Sequence, residues 1–473
     1  MSTAENTGGA GGEPAPPRLV VQVAPWLQDA GVRSIMAALT AEGAEARFVG
    51  GCVRDALLAA NQPDPGSDQA SSCASSRASS PAAPDDVDIA VNRPPEEVMR
   101  LAEAAGLKPH PTGLEHGVVT IATGAPRGET QDVADSSERA LRAVEVASLR
   151  RDVATDGRRA VIAFTEDWRE DAARRDFTMN ALYADASGRV FDPLGEGLAD
   201  LRAGRVRFIG DAETRIREDY LRILRFFRFH ARFGANGGVD AAEMAAITRL
   251  APGLDTLPSE RVGVEIKKLF AAPAPWRALA LLEETGVMRR VFRWMTEAGA
   301  AGRAERLGGL EAVEAREALP PRWIRRLAAL FPWRSAGIGG SEGGLLESRG
   351  RLATALDFSR ADLKSLSALG QAAALGPGET AYRFDAATAL DAAALEAAAE
   401  AASDESRGTI PLEVKEAIAQ GAAAEFPLRA ADLMAAGLKR GPALGAALAR
   451  AERAWIDSGF QLDRDALIAA RLP

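Results

Sequence analysis

Apolar and polar positions follow two different rhythms along this chain. From Arg33 to about residue 195, short runs with strand character stand at RFVGG (47–51), DVDIAV (86–91), VVTIA (118–122), VEVASL (144–149) and AVIAF (160–164). Between them lie helical stretches such as PPEEVMRLAEAAG (94–106), whose Pro94/Pro95 and Glu96/Glu97 suit a first helical turn. Beyond about residue 196 the strand signals stop. The rest reads as Ala- and Leu-rich helices broken by Gly/Pro stretches near 251–258, 272–275, 319–321 and 333–345. This order predicts an α+β protein, a mixed α/β head followed by an all-helical neck, body and tail. The boundaries expected are 1–30 for a disordered N-terminal segment, 31–195 for the head, 196–271 for the neck and 272–473 for body and tail.

Two segments break the pattern of the head. Residues 61–84 hold seven serines, four prolines and no large apolar side chain, so they read as a disordered surface insertion. Residues 124–143 read as an enlarged polar connection between two strands.

Composition changes this picture little. At 473 residues the chain is too long for one core, and 47% hydrophobic with 26% charged residues describes an ordinary globular protein. Two cysteines, Cys52 and Cys73, make neither a disulfide framework nor a four-ligand zinc site. The first 18 residues have no basic and apolar leader pattern, and no run of about 18 apolar residues suggests a membrane span. The expected compartment is therefore the cytoplasm. The net charge of −9 argues against bulk nucleic-acid binding. Basic charge is concentrated instead: between Arg205 and Arg232 stand eight arginines against four acids. That local excess suits a selective contact with RNA phosphates.

Candidate chemistry starts at PDDVDIAV. Asp86 and Asp88 are two apart in a strand-like run, so both carboxylates belong on one face, with Val87 and Ile89 on the other. Two carboxylates so close are costly unless one takes up a proton at a raised pKa or a divalent cation lies between them, and an all-oxygen donor set points to Mg²⁺. A solvated surface strand would show the same short motif. Upstream, FVGGCVRDALL runs from a strand through Gly50-Gly51 into a helix. Such a turn lets backbone N–H groups approach a phosphate, and Arg54 in the first helical turn can reach a triphosphate.

The segment 218–232 adds a third element. Tyr220, Ile223, Leu224 and Phe227 form an i, i+3, i+4, i+7 stripe for the core, while Asp219, Arg222, Arg225 and Arg228 wind around the other side. Phe226 and Phe229 interleave with those arginines, which suits a cleft or a stacking surface.

Strand-GG-x-V-R-D-helix followed by a strand with D-x-D resembles the polymerase-β nucleotidyltransferase superfamily. ARRDFTMNALY (173–183), IREDYLRILRFFRF (216–229) and SERVGVEIKKL (259–269) then follow in order, and together they look like the class II tRNA nucleotidyltransferases and related bacterial poly(A) polymerases. The resemblance covers about residues 33–270. It implies Asp86 and Asp88 as metal ligands, and Gly51, Arg54 and Arg175 as nucleotide contacts. It also implies Asp219, Arg222, Arg225 and Arg228 as a nucleotide-selecting segment, and Arg261 and Glu265 as support for the selecting helix. Two departures stand out. The serine-rich insertion lengthens the spacing before the aspartates, and the family's E-V-T-T strand reads Glu145 to Ser148, EVAS, here. Glu145 is either a third carboxylate at the metal or an ordinary strand-face acid.

The expected reaction is Mg²⁺-dependent, template-independent addition of CCA to the 3′ acceptor end of tRNA from CTP and ATP, releasing pyrophosphate. Asp219 accepts and Arg222 donates hydrogen bonds, which matches the amino donor and bare ring nitrogen shared by cytosine and adenine and mismatches uracil and guanine. The loop RRDVATDGRR (150–159) stands where the family has a mobile loop tied to the switch from C to A addition. One alternative is a poly(A) polymerase, although TGLEHGVVTI (112–121) looks more like CCA-adding members. Another is an inactive RNA-binding relative, against which the intact Asp86 and Asp88 argue. Gly339–Gly343 fits G-x-S-x-G, but all three histidines precede it, which is the wrong order for a serine hydrolase.

Overall fold

A computed structural model of the chain describes residues 24–60, 87–122, 143–155, 160–234, 238–295, 302–331, 345–401 and 408–469. The serine-rich insertion, Asp86, most of the 124–143 connection and positions 156–159 lie outside the described residues. The described residues form two compact units. One, the sheet unit, runs to Arg222 and takes in Phe233–Ile247; the other, the helical unit, comprises Ile223–Arg232 and the chain from Thr248 onward.

The strands, in chain order, are β1 (Ala46–Val49), β2 (Asp88–Val91), β3 (Lys108–Gly113), β4 (Val118–Ala122), β5 (Ala143–Ser148), β6 (Arg150–Thr155), β7 (Ala160–Phe164), β8 (Tyr183–Ala184) and β9 (Val190–Phe191). Seven of these described strands make one sheet in the order β3-β4-β5-β2-β1-β8-β9, and β6 pairs with β7 as a separate antiparallel ribbon. In the large sheet β2 and β5 run parallel, whereas β1–β2 and β4–β5 run antiparallel.

Alternation along these strands explains the two faces. Ile89, Val91, Val119, Ile121, Val144 and Val146 are all buried and share one side, where the helices Ala30–Leu39 and Pro95–Ala104 pack. Asp88, Thr120 and Glu145 share the other side, which is therefore available for chemistry. All five expected strands form. The ones that hydrophobic pattern did not reveal have clear reasons. β3 contains Pro109 and Pro111 and sits at the sheet edge, where a missing N–H is tolerated. β6 begins Arg150-Arg151-Asp152, so the expected loop at 150–159 is in its first part a strand.

After Phe191 the described residues contain helices and no further strand, as expected. In the helical unit the helices Pro377–Arg383 and Leu412–Ala423 touch through glycine: a Cβ on Gly421 would collide with the Gly378 carbonyl oxygen. Charged groups are buried there in a closed network. Arg325 donates to Glu314 and Asp391, each at 2.8 Å, and Arg326 donates to Glu314 and to the Phe270 carbonyl. Among the described residues, no helix is long and apolar enough to cross a membrane.

Candidate active site

The antiparallel register of β1 and β2 pairs Phe48 with Ile89, so the end of β1 lies beside the start of β2. The chain leaves β1 through Gly50, whose φ of +75° is easy only for glycine, and enters the helix Gly51–Ala60. That turn therefore sits next to Asp88. Cys52 ties the two together: its thiol lies 3.4 Å from the Val49 carbonyl and 3.9 Å from the Asp88 carbonyl. Burial pushes the Cys52 thiol up to about 12, so it is an inert packing group.

Asp88 is half-buried at the edge of the open face. In the parallel β2–β5 pair it stands in register with Glu145, which is exposed, and Glu145 in turn is opposite Thr120. Adjacent strands lie roughly 4.8 Å apart, so two carboxylates occupy neighbouring positions on one face. Like charges in that relation repel. An oxygen-ligated divalent cation fits the pair, which makes Glu145 a better candidate ligand than its sequence alone indicated. Asp86, the other expected ligand, lies outside the described residues.

Two guanidinium groups point at the glycine turn. Arg175 is gripped along one edge: its Nε and Nη2 donate to Asp171 Oδ2 at 3.2 and 2.9 Å, and its Nε also lies 3.2 Å from the Tyr183 hydroxyl. The Tyr183 hydroxyl donates to the same carboxylate oxygen at 2.7 Å. The remaining nitrogen, Nη1, would be 3.9 Å from a Cβ placed on Gly50. Arg54 is held by other partners. Its Nε donates to Asp55 at 2.8 Å, its Nη1 donates to Asn180 Oδ1 at 2.6 Å, and its guanidinium lies 4.3 Å from the Phe233 ring centroid. Its Nη2 would be 3.7 Å from a Cβ on Gly51. Asn180 is itself oriented by donating to Asp176 at 3.0 Å.

Burial alone would raise the Asp171 carboxyl. The adjacent Arg175 and Arg174 and the Tyr183 hydroxyl outweigh it and hold the group down at about 2. Asp171, Tyr183, Asn180 and Asp176 received no role from the sequence. Asn180 and Tyr183 lie inside the ARRDFTMNALY motif, and their spacing from Arg175 was the available signal. Asp171 precedes the motif, in the first turn of the helix Trp168–Ala173.

The segment at 218–232 departs from expectation in two ways. Asp219 is not on the helix, which spans Leu221–Phe233; it has extended backbone (φ −155°, ψ 107°), and its carboxylate accepts from the Leu221 N–H at 3.1 Å. An aspartate does this because a helix leaves its first N–H groups unsatisfied. Arg222, on the helix, donates to Glu218 and, at 3.0 Å, to the Arg215 carbonyl. The second departure concerns the aromatics. Phe226 and Phe229 are 0% and 5% exposed, so they pack in the interior instead of forming a stacking surface. Phe226 lies parallel to the His230 ring at 6.3 Å and edge-on to Phe227. The apolar arc of this helix is wider than the four-residue stripe, and only Arg222, Arg225 and Arg228 remain partly exposed along 221–230.

Within the helical unit Arg225 and Arg228 share one anchor. Arg228 Nε donates to Glu265 at 2.7 Å, and Arg225 pairs with the same carboxylate at 3.9 Å. Both guanidiniums also flank Phe229. Glu265 is buried on the helix Ser259–Phe270, which matches the supporting role expected for the R-x-x-x-E element.

Comparison with known proteins gives a consistent result. Residues 46–207 match the family described as "Poly A polymerase head domain", and residues 239–298 match one described as "Probable RNA and SrmB- binding site of polymerase A". The chain is 36% identical over 245 residues to the mitochondrial CCA tRNA nucleotidyltransferase 1 of Danio rerio, covering 51% of this chain and 48% of the relative. It is 37% identical over 238 residues to the CCA-adding enzyme of Oceanobacillus iheyensis, covering 50% of this chain and 48% of the relative. The chain thus spans about half the length of these curated relatives. Among solved structures, the CCA-adding enzyme of Bacillus stearothermophilus in complex with CTP superposes with a TM-score of 0.63 at 26% identity, covering 92% of this chain and 93% of that one.

Proposed function

We propose that this chain, which is similar to the tRNA nucleotidyltransferases and poly(A) polymerases, adds CCA to the 3′ end of tRNA, using CTP and ATP and releasing pyrophosphate. The observation that carries the reading is the convergence of Arg54 and Arg175 on the Gly50–Gly51 turn beside Asp88. A helix N-terminus, two guanidiniums and a strand carboxylate are what a nucleoside triphosphate needs, because its charge is spread over several oxygens.

In this reading the Gly51 N-terminal turn and the turn-facing nitrogens of Arg175 and Arg54 bind the triphosphate and offset charge on the leaving pyrophosphate. Asp171 and Tyr183 keep Arg175 rigid, and Asn180 does the same for Arg54, so no side-chain ordering is left for the moment of reaction. Asp88, with Asp86 and Glu145, would hold Mg²⁺, which when bound would supply positive charge to offset the charge of the triphosphate and to favour loss of the 3′-hydroxyl proton. The RNA 3′-oxygen attacks the α-phosphorus in line, the bond to the pyrophosphate oxygen breaks, and the hydroxyl proton passes to solvent. Asp219 and Arg222 present an acceptor and a donor to the base, and Glu218 orients Arg222 for that task. Arg225 and Arg228 continue the selecting segment, set by Glu265.

The test is incubation with tRNA ending at the discriminator base, with each nucleoside triphosphate singly and then together. Ordered addition of C, C and A that then stops is expected. A long ladder of A would replace this reading with poly(A) synthesis, and no extension under any condition would leave only RNA binding.

A further inference from the structure

An acid occupies the apolar side of the helix Ala241–Leu250. Glu243, Ala246 and Ile247 fall at i, i+3 and i+4 and are all buried, Glu243 at 6% exposure. One of its carboxyl oxygens has a clear task. Phe208 is buried, and its backbone N–H donates to Glu243 Oε1 at 2.8 Å. The other oxygen, Oε2, is buried with no hydrogen-bond partner. An acid enclosed in this way costs stability, and the one N–H it satisfies offsets only part of that cost. Folding alone is a weak reason for Glu243; the segment to which that N–H belongs is a better one.

That segment frames the 176–180 turn. Phe177 and Phe208 form an isolated antiparallel bridge, in which the Thr178 N–H donates to the Arg207 carbonyl at 3.0 Å and the Ile209 N–H to the Asp176 carbonyl at 3.1 Å. In such a pair the N–H of Phe208 points away from Phe177, so Glu243 completes the pairing from outside as a third strand would. Asp200, at 0% exposure, adds a second fastening. It accepts from the Thr178 hydroxyl at 2.7 Å and from Arg207 Nε at 2.9 Å. Within the turn Asp176 accepts from Asn180 at 3.0 Å, and Asn180 accepts from Arg54 Nη1 at 2.6 Å. All of these residues lie in the sheet unit.

We propose that Glu243 is a positioning residue for the nucleotide site, bracing the 207–209 segment against the 176–180 turn and so holding Asn180, and through it Arg54, at the Gly51 turn. The inference rests on the reading of Arg54 as a triphosphate ligand given above. Glu243 itself touches neither nucleotide nor RNA in this role. Its protonation state bears on the brace. Burial pushes the carboxyl up to about 7; the Phe208 N–H and Arg207 pull it down, and Asp240 and Asp200 push it up. The neutral form leaves Arg207 to Asp200, whereas an ionised Glu243 competes with Asp200 for it and loosens the hold on Thr178. Affinity for CTP is therefore full below about pH 7 and declines as pH rises through that value.

The full-length protein is used throughout. Calorimetry gives the Kd for CTP with Mg²⁺ for wild type, Glu243→Gln, Glu243→Ala, Asn180→Ala and the Glu243→Ala/Asn180→Ala pair, and CMP incorporation into a tRNA transcript lacking its 3′ CCA is followed for each. Glu243→Ala is expected to weaken CTP binding about fivefold to tenfold at about pH 6.5, part of the effect of a charged hydrogen bond, while the KM for RNA stays. Glu243→Gln keeps an acceptor for Phe208 and is expected to retain wild-type affinity at that pH. In the Asn180→Ala background Glu243→Ala adds nothing, because the route through which it acts is gone. From about pH 6 to about pH 8.5 wild type loses about threefold in CTP affinity relative to Glu243→Gln. Wild-type CTP affinity in Glu243→Ala, full additivity with Asn180→Ala, or equal rises in the KM for CTP and for RNA would each overturn the proposal. Should Glu243→Ala not fold, a ratio of wild type to Glu243→Gln that stays flat across that pH range overturns it alone. If wild type binds CTP with this dependence on Glu243 but adds no nucleotide, the functional reading fails and the positioning role stands. If wild type adds CCA and Glu243→Ala binds CTP as wild type does, the reverse holds.

Discussion

Arginine is used in opposite ways in the two units. In the helical unit Arg325 and Arg326 are 1% and 3% exposed, and Glu314, Asp391 and main-chain carbonyls account for their donors on every side. In the sheet unit Arg175 is also largely enclosed, but Asp171 and Tyr183 hold it along one edge and its Nη1 is turned to the glycine turn. A closed arginine is architecture. An arginine closed on one side only is a preorganised receptor for an anion, because the carboxylate that orients it has already met the cost of ordering the side chain. Burial by itself does not separate the two; the direction of the donors does.

The sharpest test of this contrast lies at the neighbouring carboxylate. Asp88→Ala is expected to lower single-turnover CMP incorporation about a thousandfold or more, as loss of a metal ligand would, with little change in melting temperature. Retained incorporation would remove Asp88 from the chemistry. Next, Arg325→Met strips one guanidinium from two buried carboxylates at once, leaving Glu314 with Arg326 and Asp391 with Arg322, and is expected to cost about 3 kcal/mol of stability. Urea unfolding measures this, and the KM for CTP of the protein that remains folded should not move. A smaller but opposite pattern is expected for Arg175→Met. Only one buried carboxylate, Asp171, loses a partner there, and it keeps Arg174, so stability falls less, while the KM for CTP rises about ten- to a hundredfold, the worth of a charged hydrogen bond. If Arg175→Met and Arg325→Met gave the same profile, the distinction between receptor and architecture would be wrong.

The smallest effect concerns acid. The carboxyl of Asp171 is held below its unfolded value, so its contribution is fully present above about pH 4 and is lost as pH falls towards about 2. The loss amounts to about 2 kcal/mol. Asp171→Asn should therefore flatten the acid limb of the stability curve followed by circular dichroism. An acid limb identical to wild type would show that the Arg175 anchor stores no such energy.

The chain's own text was informative wherever the physics is local. Strand alternation at 88–91 and 118–122, the Gly50-Gly51 turn and the helical rhythm after residue 196 depend on neighbours a few residues away, and the fold agrees with them. The reading of Phe226 and Phe229 failed for the complementary reason. A window of helix shows which residues are apolar but not how wide an arc the surrounding helices cover, and here they cover both rings. Asp219 likewise looked helical by spacing until the break after Glu218 turned its carboxylate into a cap for Leu221.

What the sequence by itself determined is the inventory and its order: a strand with an aspartate, a glycine turn ahead of it, an arginine-rich helix behind. Only the tertiary structure decided that Glu145 stands level with Asp88, and that Asp171, Tyr183 and Asn180 aim two distant arginines at one turn. Residues 54 and 180 are 126 apart along the chain, and no periodicity spans such a gap. Sheet register and packing bring them together, because strands pair across long loops and one satisfied buried charge dictates where the next must lie.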